Sequence, residues 1–446
     1  MAFRREPRLG FRMRKIVLAI LLSVLAQPVL AQQPPEPAAV TQLRRMLGSG
    51  VTLAYGAATA TDVQGSAALT ALVLTKGAET IRIAEARLEG LREDGIARLS
   101  LREIQIAGGQ VPATLDRLDL EGLTVRRQPG GAPPKPTDVS ANLLRMENWR
   151  STGETPVNIG AINVENFGGG RPGSVNVTAL EVGVRGAGPV ERVAVARIAV
   201  SGLDAAEILG AIMEQRPPAT LPGRSSLDIE SVTVSQGGNV LGRLGAFTMR
   251  GEVAPGRPST GAFTLRGLEV NPAPPHAEWM QRLDYTSLRA EARMEATHDA
   301  TTGVLDMPVF SIELRDAGEL SLAFRLDNVR ENMTQQAAQN MRLISARLRY
   351  ADLSLFRRWV RTAAQRENMP ENAFRQRLAQ QATAALSGPS LASARDAAQR
   401  FLRGDATVLE LAANPRAPLS FGLAQRKPQR NLAGWQDMFG LTLTAR

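Results

Sequence analysis

The sequence predicts a mainly β protein with C-terminal helices, an α+β chain on a long curved, bulged antiparallel sheet. Three observations predict it. The first is strict alternation of apolar and polar residues over long stretches, as in Leu288–Glu295, Leu320–Leu326 and Ile344–Tyr350. Period two means one buried face and one wet face, the mark of antiparallel meander strands. The second is a change of phase partway along a strand. Ile81 and Ile83 are followed by Ala86 and Leu88, and Leu227 and Ile229 by Val232 and Val234. An extra residue exchanges the two faces, so a β-bulge is expected at each place. The third is that helical period dominates only late in the chain.

Taken in order, a short helix is expected over Thr41–Leu47, stopped by Gly48. Strands follow, separated by turn-forming stretches. The turn HDATTG (His298–Gly303) joins one pair and RDAG (Arg315–Gly318) the next. Longer breaks fall at Gln128–Asp138, Phe167–Gly173, Arg216–Gly223, Ala254–Pro258 and Asn271–Pro275. The first of these is rich in Pro and Gly and is the best domain boundary. Three late helices are expected: Leu355–Arg366, one opened by Pro370, and Ser390–Arg403 stopped by Gly404. Strands near Val408–Ala412, Leu419–Ala424 and Leu441–Thr444 close the chain.

The organisation read from these signals is as follows. Residues 1–31 are a signal peptide and 32–40 a disordered lead-in. Residues 41–127 form an N-terminal β-rich region and 128–138 a linker. Residues 139–216 are a β region ending in a helix, 224–353 a β meander, and 354–446 a helical region with closing strands.

Ala196–Asp204 and Ala346–Ser354 resemble one another at a spacing of 150 residues, and each leads into a helix. Asp204 and Ser354 are the matching N-cap candidates. A degenerate duplication of a sheet plus strand–turn–helix unit accounts for this. Convergence of strand–turn–helix junctions on the same residue types accounts for it equally well.

Composition excludes several classes of chemistry. The 446 residues include no cysteine and two histidines, His276 and His298. Disulfides, thiolate metal sites and cysteine nucleophiles are excluded, as is a three-histidine metal site. The net charge of +10 is unevenly placed: six basic residues and one acidic lie in residues 1–31, leaving +5 for the rest. Lysine occurs only at positions 15, 76, 135 and 427, and aromatics make up 4%. Nucleic-acid binding is therefore not expected, since basic patches with interleaved aromatics are missing.

The N-terminus has a basic region ending at Lys15 and an apolar run Ile16–Ala26. Gln27-Pro28-Val29-Leu30-Ala31 then places small or short residues before Gln32. This is the layout of a secretory signal peptide cleaved after Ala31, with an uncleaved anchor as the alternative. The run is about half of the ~20 residues a membrane-spanning helix needs. A periplasmic location follows as the expectation.

Two stretches carry a family resemblance. They are Leu283–Val329 and Ala346–Phe374, through Tyr285, Thr302-Gly303, Asp316-Ala317-Gly318, Leu320, Leu322, Tyr350, Asp352 and Leu355. Here the chain resembles a family of uncharacterised exported alpha-proteobacterial proteins, itself similar to the YdgA-type and AsmA-type periplasmic β-rich proteins. The resemblance covers about the C-terminal 170 residues. It implies a long curved sheet and, from the AsmA-type relatives, envelope lipid transport or outer-membrane maintenance. It implies no catalytic residues.

The residues themselves point the same way. No phosphate loop, GxSxG elbow, SxxK or HExxH motif occurs. His298 neighbours Asp299, but adjacent hairpin residues point to different sides and the pair is expected in a turn. His276 is expected in the first turn of a short helix. No catalytic, cofactor-binding or metal residue is assigned, and no cofactor is expected. Arg82, Arg87, Arg98 and Arg102 alternate with Glu85, Glu89 and Glu103, which reads as a solvated, paired face. Its functional reading is attraction to an anionic membrane surface. Phe356 and Trp359, on a helix with Arg357, Arg358 and Arg361, are expected to dock on the sheet with the arginines in water. A membrane surface is the other reading.

The function expected is non-enzymatic handling of lipid or another apolar envelope component on the curved sheet. A structural or scaffolding envelope protein with a protein partner is the alternative, and a hydrolase using carboxylates alone is a third.

Overall fold

In the computed structural model the alternating segments form long antiparallel strands. It describes residues 36–446 apart from 49, 62–63, 110, 127, 129–133, 185–187, 189, 220, 274–276, 331–334 and 427–430. The expected signal peptide and His276 lie outside the described residues. No helix among the described residues is long and apolar enough to cross a membrane. The chain divides into two compact units. One runs to Gly186 and resumes at Ala194–Leu221; the other holds Ala187–Val193 and Pro222–Arg446.

The first unit begins with helix α1, Ala38–Leu47. The helix starts three residues before the expected position, inside the expected lead-in of residues 32–40. The reason is burial: Ala39 and Val40 are fully covered, together with Met46 and Leu47. Gly48, with φ of 75°, ends the helix. Strands β1 (Thr52–Ala54) and β2 (Ala57–Ala60) both pair with β3 (Ala67–Lys76). A meander follows: β4 (Glu79–Arg92), β5 (Gly95–Ala107), β6 (Ala113–Val125), β7 (Val139–Ser151), β8 (Val157–Phe167) and β9 (Gly173–Gly183). Strand β10 (Arg192–Leu203) pairs with β9 and leads into α2 (Ala205–Met213).

The expected boundary at 128–138 is a connection inside this unit. β6 and β7 pair on either side of it, from Val125–Val139 to Ala113–Ser151. A Pro/Gly-rich stretch signals a break in regular structure, and a long hairpin loop satisfies that as well as a linker does.

The expected bulges also take a different form. β3, β4 and β5 keep one register throughout: Leu72–Ile83–Ile104 and Leu69–Ala86–Leu101 align on both sides of the phase change. The step is made instead by residues in the left-handed region. Ala71 and Glu103, both with φ of 51°, flank Ala84 on the central strand. Six residues on, Gly90 and Gly122, with φ of 62° and 63°, flank Ala97. Neighbouring strands step together, so inward side chains recur at intervals of two and three. In the second unit Ser231 (φ 53°) makes the same step opposite Gly245.

The second unit is a longer meander. It comprises β11 (Gly223–Gln236), β12 (Asn239–Val253), β13 (Ser259–Val270), β14 (Leu288–Asp299), β15 (Val304–Leu314), β16 (Gly318–Asp327) and β17 (Arg342–Asp352). Here true one-residue shifts occur, and two lie on β15 around Pro308, between Met307 and Phe310 on one side and opposite Glu295–Thr297 on the other. A proline has no N–H for the ladder, so a bulge is where a sheet interior accepts one.

Short helices α3 (Ala277–Arg282) and α4 (Gln335–Asn340) precede β14 and β17. Beyond β17 come α5 (Leu355–Arg366), α6 (Glu371–Ala385) and α7 (Ala392–Arg403), the last ended by left-handed Gly404. The chain closes with β18 (Val408–Ala413), β19 (Leu419–Ser420), α8 (Phe421–Arg426), α9 (Leu432–Phe439) and β20 (Leu441–Ala445). The strand expected over 419–424 ends at Ser420. β18 and β19 both pair with β17, and β20 pairs with β18.

The 150-residue correspondence recurs in the elements: β10 then α2, and β17 then α5. The caps differ. Asp204 accepts from the backbone N–H of Ala206 at 2.9 Å and Glu207 at 3.2 Å. Ser354 makes no cap bond; Asp352 accepts from the Phe356 N–H at 2.7 Å instead. The Ser354 hydroxyl donates to the Asp316 carbonyl and faces the Tyr285 hydroxyl at 3.1 Å.

Candidate functional site

Register determines what the strands of each unit present. In the first unit Leu69, Ala86, Leu101, Leu118, Met146, Ile162 and Val177 lie side by side across seven strands. Ala67, Leu88, Leu99, Leu120, Leu144, Val164 and Val175 form the next row. Helix α1 lies over the first strands of this face. Between them is a cavity of about 150 Å³, walled by Leu43, Met46 and Leu47 of α1 and by the inward residues of β3–β7, Trp149 among them. The turn residues Glu93 and Asp94, and Gly95 at the start of β5, also border it.

In the second unit one row runs Leu227, Met249, Phe263, Met294, Phe310, Leu322, Leu348, Leu411 and Leu443, one residue from each of nine strands. A parallel row runs Ile229, Phe247, Leu265, Ala292, Ile312, Leu320, Tyr350, Leu409 and Ala445. Between them, on the opposite face, lie Asp228, Thr248, Thr264, Arg293, Ser311, Ser321, Arg349, Glu410 and Thr444. The faces are thus cleanly divided.

The apolar face of the second unit is covered near the strand ends and half-exposed between them. Phe401 of α7 packs with Tyr350, Leu409, Leu443 and Ala445. At the opposite strand ends, Phe421 and Phe439 pack with Leu326, Leu343 and Leu441. Met249 is 47% exposed, and Ile312, Leu320, Leu348 and Leu411 are 36–40% exposed. Full burial of such a side chain contributes about 1.5–3 kcal/mol, so each forgoes roughly half of that. Summed over five residues this is on the order of 5 kcal/mol, comparable to a whole domain's net stability. The only hydroxyl in the two rows, that of Tyr350, donates to Asp352 at 2.8 Å. Burial first, and then Asp352, hold its pKa above the usual phenol value.

The expected solvated face is present in the first unit. Glu85 stands opposite Arg102 and Glu89 opposite Arg98; Arg98 approaches Glu89 and Glu121, both at 3.8 Å. Arg82 and Arg87 are exposed on the same face. Helix α5 packs on its neighbouring helices more than on the sheet where it was expected: Val360 and Ala364 are buried with Phe374 and Leu378 of α6, and Phe356 stands against Phe401 of α7 at 5.0 Å between ring centroids, in a cluster that includes Tyr350 of β17. Trp359 stays 44% exposed, stacked on Phe356. Arg358 departs from the expectation of a solvated arginine. Its guanidinium donates to the Leu283 carbonyl at 2.9 Å and lies 4.4 Å from the Tyr285 ring centre.

His298 and Asp299 are the last residues of β14, not turn residues. The His298 Nε2 lies 3.2 Å from the Val329 carbonyl. Asp299 accepts from the Thr302 hydroxyl at 2.8 Å and the Thr301 N–H at 2.9 Å. These bonds hold its pKa below the usual value, the Thr302 hydroxyl first. The two side chains serve separate local contacts. His298, without Asp299, borders a polar recess with Thr301, Thr302, Asn328 and Asn340.

Other carboxylates are shifted the same way. The fork of Arg216 and then the Ala219 N–H lower Glu207 to about 2. The Gln128 amide and then the Lys135 N–H lower Asp138. A general acid requires the opposite shift. Among the described residues no group of three His, Asp or Glu could hold a metal ion.

A family model described as "Uncharacterized protein" matches residues 311–446, from β15 to the end of the chain. No curated protein matches.

Proposed function

We propose that this chain is an exported, periplasmic, non-enzymatic protein that holds lipid, or another apolar envelope component, against its sheet. The observation that carries the reading is the pair of apolar rows across nine strands of the second unit, half-exposed from β12 to β18. A peptide partner would seek donors and acceptors on such a surface, and the rows offer hydrocarbon, two methionine thioethers and one hydroxyl already bonded to Asp352. A long acyl chain matches that chemistry. Covering the rows recovers the burial they forgo.

The test is native mass spectrometry of the protein from its own envelope fraction, with solvent extraction of what co-purifies. Stoichiometric acyl lipid is expected. Leu348→Arg, at a position already half-exposed, is expected to fold normally by circular dichroism and lose at least ten-fold in bound lipid. Wild-type protein that carries no lipid, and takes none up from vesicles, would overturn the reading. The scaffolding alternative draws on Leu353 and Trp359, 57% and 44% exposed beside the arginines of α5. It predicts a protein crosslinked to α5 in place of lipid.

A further inference from the structure

The polar recess beside His298 carries an inference that rests on the lipid reading and goes beyond it. The recess holds about 840 Å³, a size usual for small-ligand sites. Its walls are the β14–β15 turn, the residues after β16, and α4. They are bonded to one another. The Val329 N–H donates to the Gly303 carbonyl at 2.9 Å, and the Asn328 amide donates to the Asn340 carbonyl at 2.9 Å. Arg330 borders the recess, is exposed and has no partner among the described residues, so its guanidinium is free to turn to an anion. The side-chain amides of Gln336 and Asn340 are unpaired in the same way. Among the described residues that border the recess there is no carboxylate; the neighbouring Asp299 accepts from Thr301 and Thr302 instead. No Phe, Tyr or Trp is among them either, so they offer no stacking platform for a sugar. An unpaired guanidinium with neutral amides and no carboxylate suits the oxygens of a phosphate.

Strand register puts this recess at the edge of the apolar face. His298 follows Met294 and Ala296 at intervals of two, so all three share one side of β14. Its partners in register are Ser259 and Leu305. On β13 and β14, only Gly261 and Ala296, themselves a pair, separate this position from the row through Phe263 and Met294. Both are small, and a Cβ at Gly261 would meet nothing within 4 Å, so the way from recess to row is unblocked. The four residues from Met294 to His298 span about 13 Å, at ~3.3 Å each. A phosphate head, its glycerol and the first carbons of an acyl chain cover such a span. We propose that the recess binds a phosphate ester. Two sources share this chemistry: the head of a phospholipid whose chains lie on the rows, and a small free phosphate ester.

The chain has two histidines, so in His276→Gln a single imidazole, that of His298, reports on the recess by NMR. The probes are dihexanoyl phosphatidylglycerol below its micellar concentration, dihexanoylglycerol, which lacks the phosphate head, and glycerol 3-phosphate, which lacks the chains. The phospholipid is expected to move the His298 signal and to bind about ten-fold more tightly than dihexanoylglycerol, the size of one charge-assisted hydrogen bond. Arg330→Gln, at an exposed position, is expected to remove that difference. Glycerol 3-phosphate that binds as tightly as the phospholipid assigns the recess to free phosphate esters, and much weaker binding assigns it to lipid heads. Equal affinity for the phospholipid and dihexanoylglycerol, a His298 signal that no phosphate compound moves, or an equal response to inorganic sulfate overturns the proposal. The first of these outcomes leaves lipid held on the rows by its chains, so the lipid reading stands without this one. Conversely, glycerol 3-phosphate that moves the His298 signal while neither lipid binds overturns the lipid reading and leaves the phosphate site.

Discussion

At the scale of single residues, the two cap candidates separate what spacing reveals from what it hides. Asp204 accepts three backbone N–H groups, from Ala206, Glu207 and Gly170, and is nearly buried. Asp204→Ala is expected to cost about 1–2 kcal/mol, the upper range for an N-cap, read from the urea midpoint at unchanged slope. At the matching position Ser354 ties the β15–β16 turn to the segment between α3 and β14 through Asp316 and Tyr285, and Asp352 does the capping. Asp352→Ala is therefore expected to fray the first turn of α5, while Ser354→Ala leaves that turn capped. Amide exchange at Phe356 reads the difference. A side chain's partner depends on what the fold brings near it, so residue type and spacing were enough for Asp204 and not for Ser354. The same limit applies to Ala71 and Glu103. Their left-handed backbone is invisible in residue type, although the phase change that it causes is plain in the sequence.

Among the elements, strands were legible because one wet and one buried face leave a period-two record, and the late helices because theirs is 3.6. Helix α1 was placed three residues late because its first turn is small and apolar, Ala38-Ala39-Val40, and shows no polar cap. Its anchor is ionic. Glu36 receives hydrogen bonds from Arg44 at 2.8 Å and Tyr55 at 3.1 Å, and Arg44 also donates to the Leu53 carbonyl at 2.9 Å. Burial pushes the Glu36 carboxyl up, but Arg44, Tyr55 and Thr41 outweigh it and the pKa is lowered. A lowered carboxylate stabilises the fold above its unfolded pKa of about 4.3, and that contribution is lost as pH falls through the lower folded value. Helix α1 is thus expected to loosen below the ordinary carboxylate range. The chain has no cysteine, so a nitroxide on Arg45→Cys reports the helix alone. Its spectrum should sharpen on acidification from pH 7 to pH 3, and should be mobile already at pH 7 in Glu36→Gln.

At the scale of the whole molecule, charge and hydrocarbon make opposite predictions about how the protein would meet the proposed lipid. A net +10 suggests attraction to anionic headgroups, but half of it lies in residues 1–31. The polar faces of the sheets answer arginine with carboxylate across neighbouring strands. Arg250 meets Asp228 at 2.7 Å, Arg349 meets Glu319 at 3.1 Å, and Arg224 meets Glu252 at 3.1 Å. Such pairs cancel beyond a Debye length of about 8 Å at physiological salt, leaving little long-range field. The apolar rows, in contrast, have no charge to screen. They became visible only through strand register, since Leu227 and Leu443 share a row with more than 200 residues between them. Lipid held on that face should therefore keep its affinity within about two-fold between 50 mM and 500 mM salt. Its binding should show a negative heat-capacity change, the signature of buried apolar surface. Calorimetric titration of the mature chain with a short-chain phospholipid below its micellar concentration measures both. A steep fall in affinity with salt, and no heat-capacity change, would transfer the interaction from the open rows to the arginines.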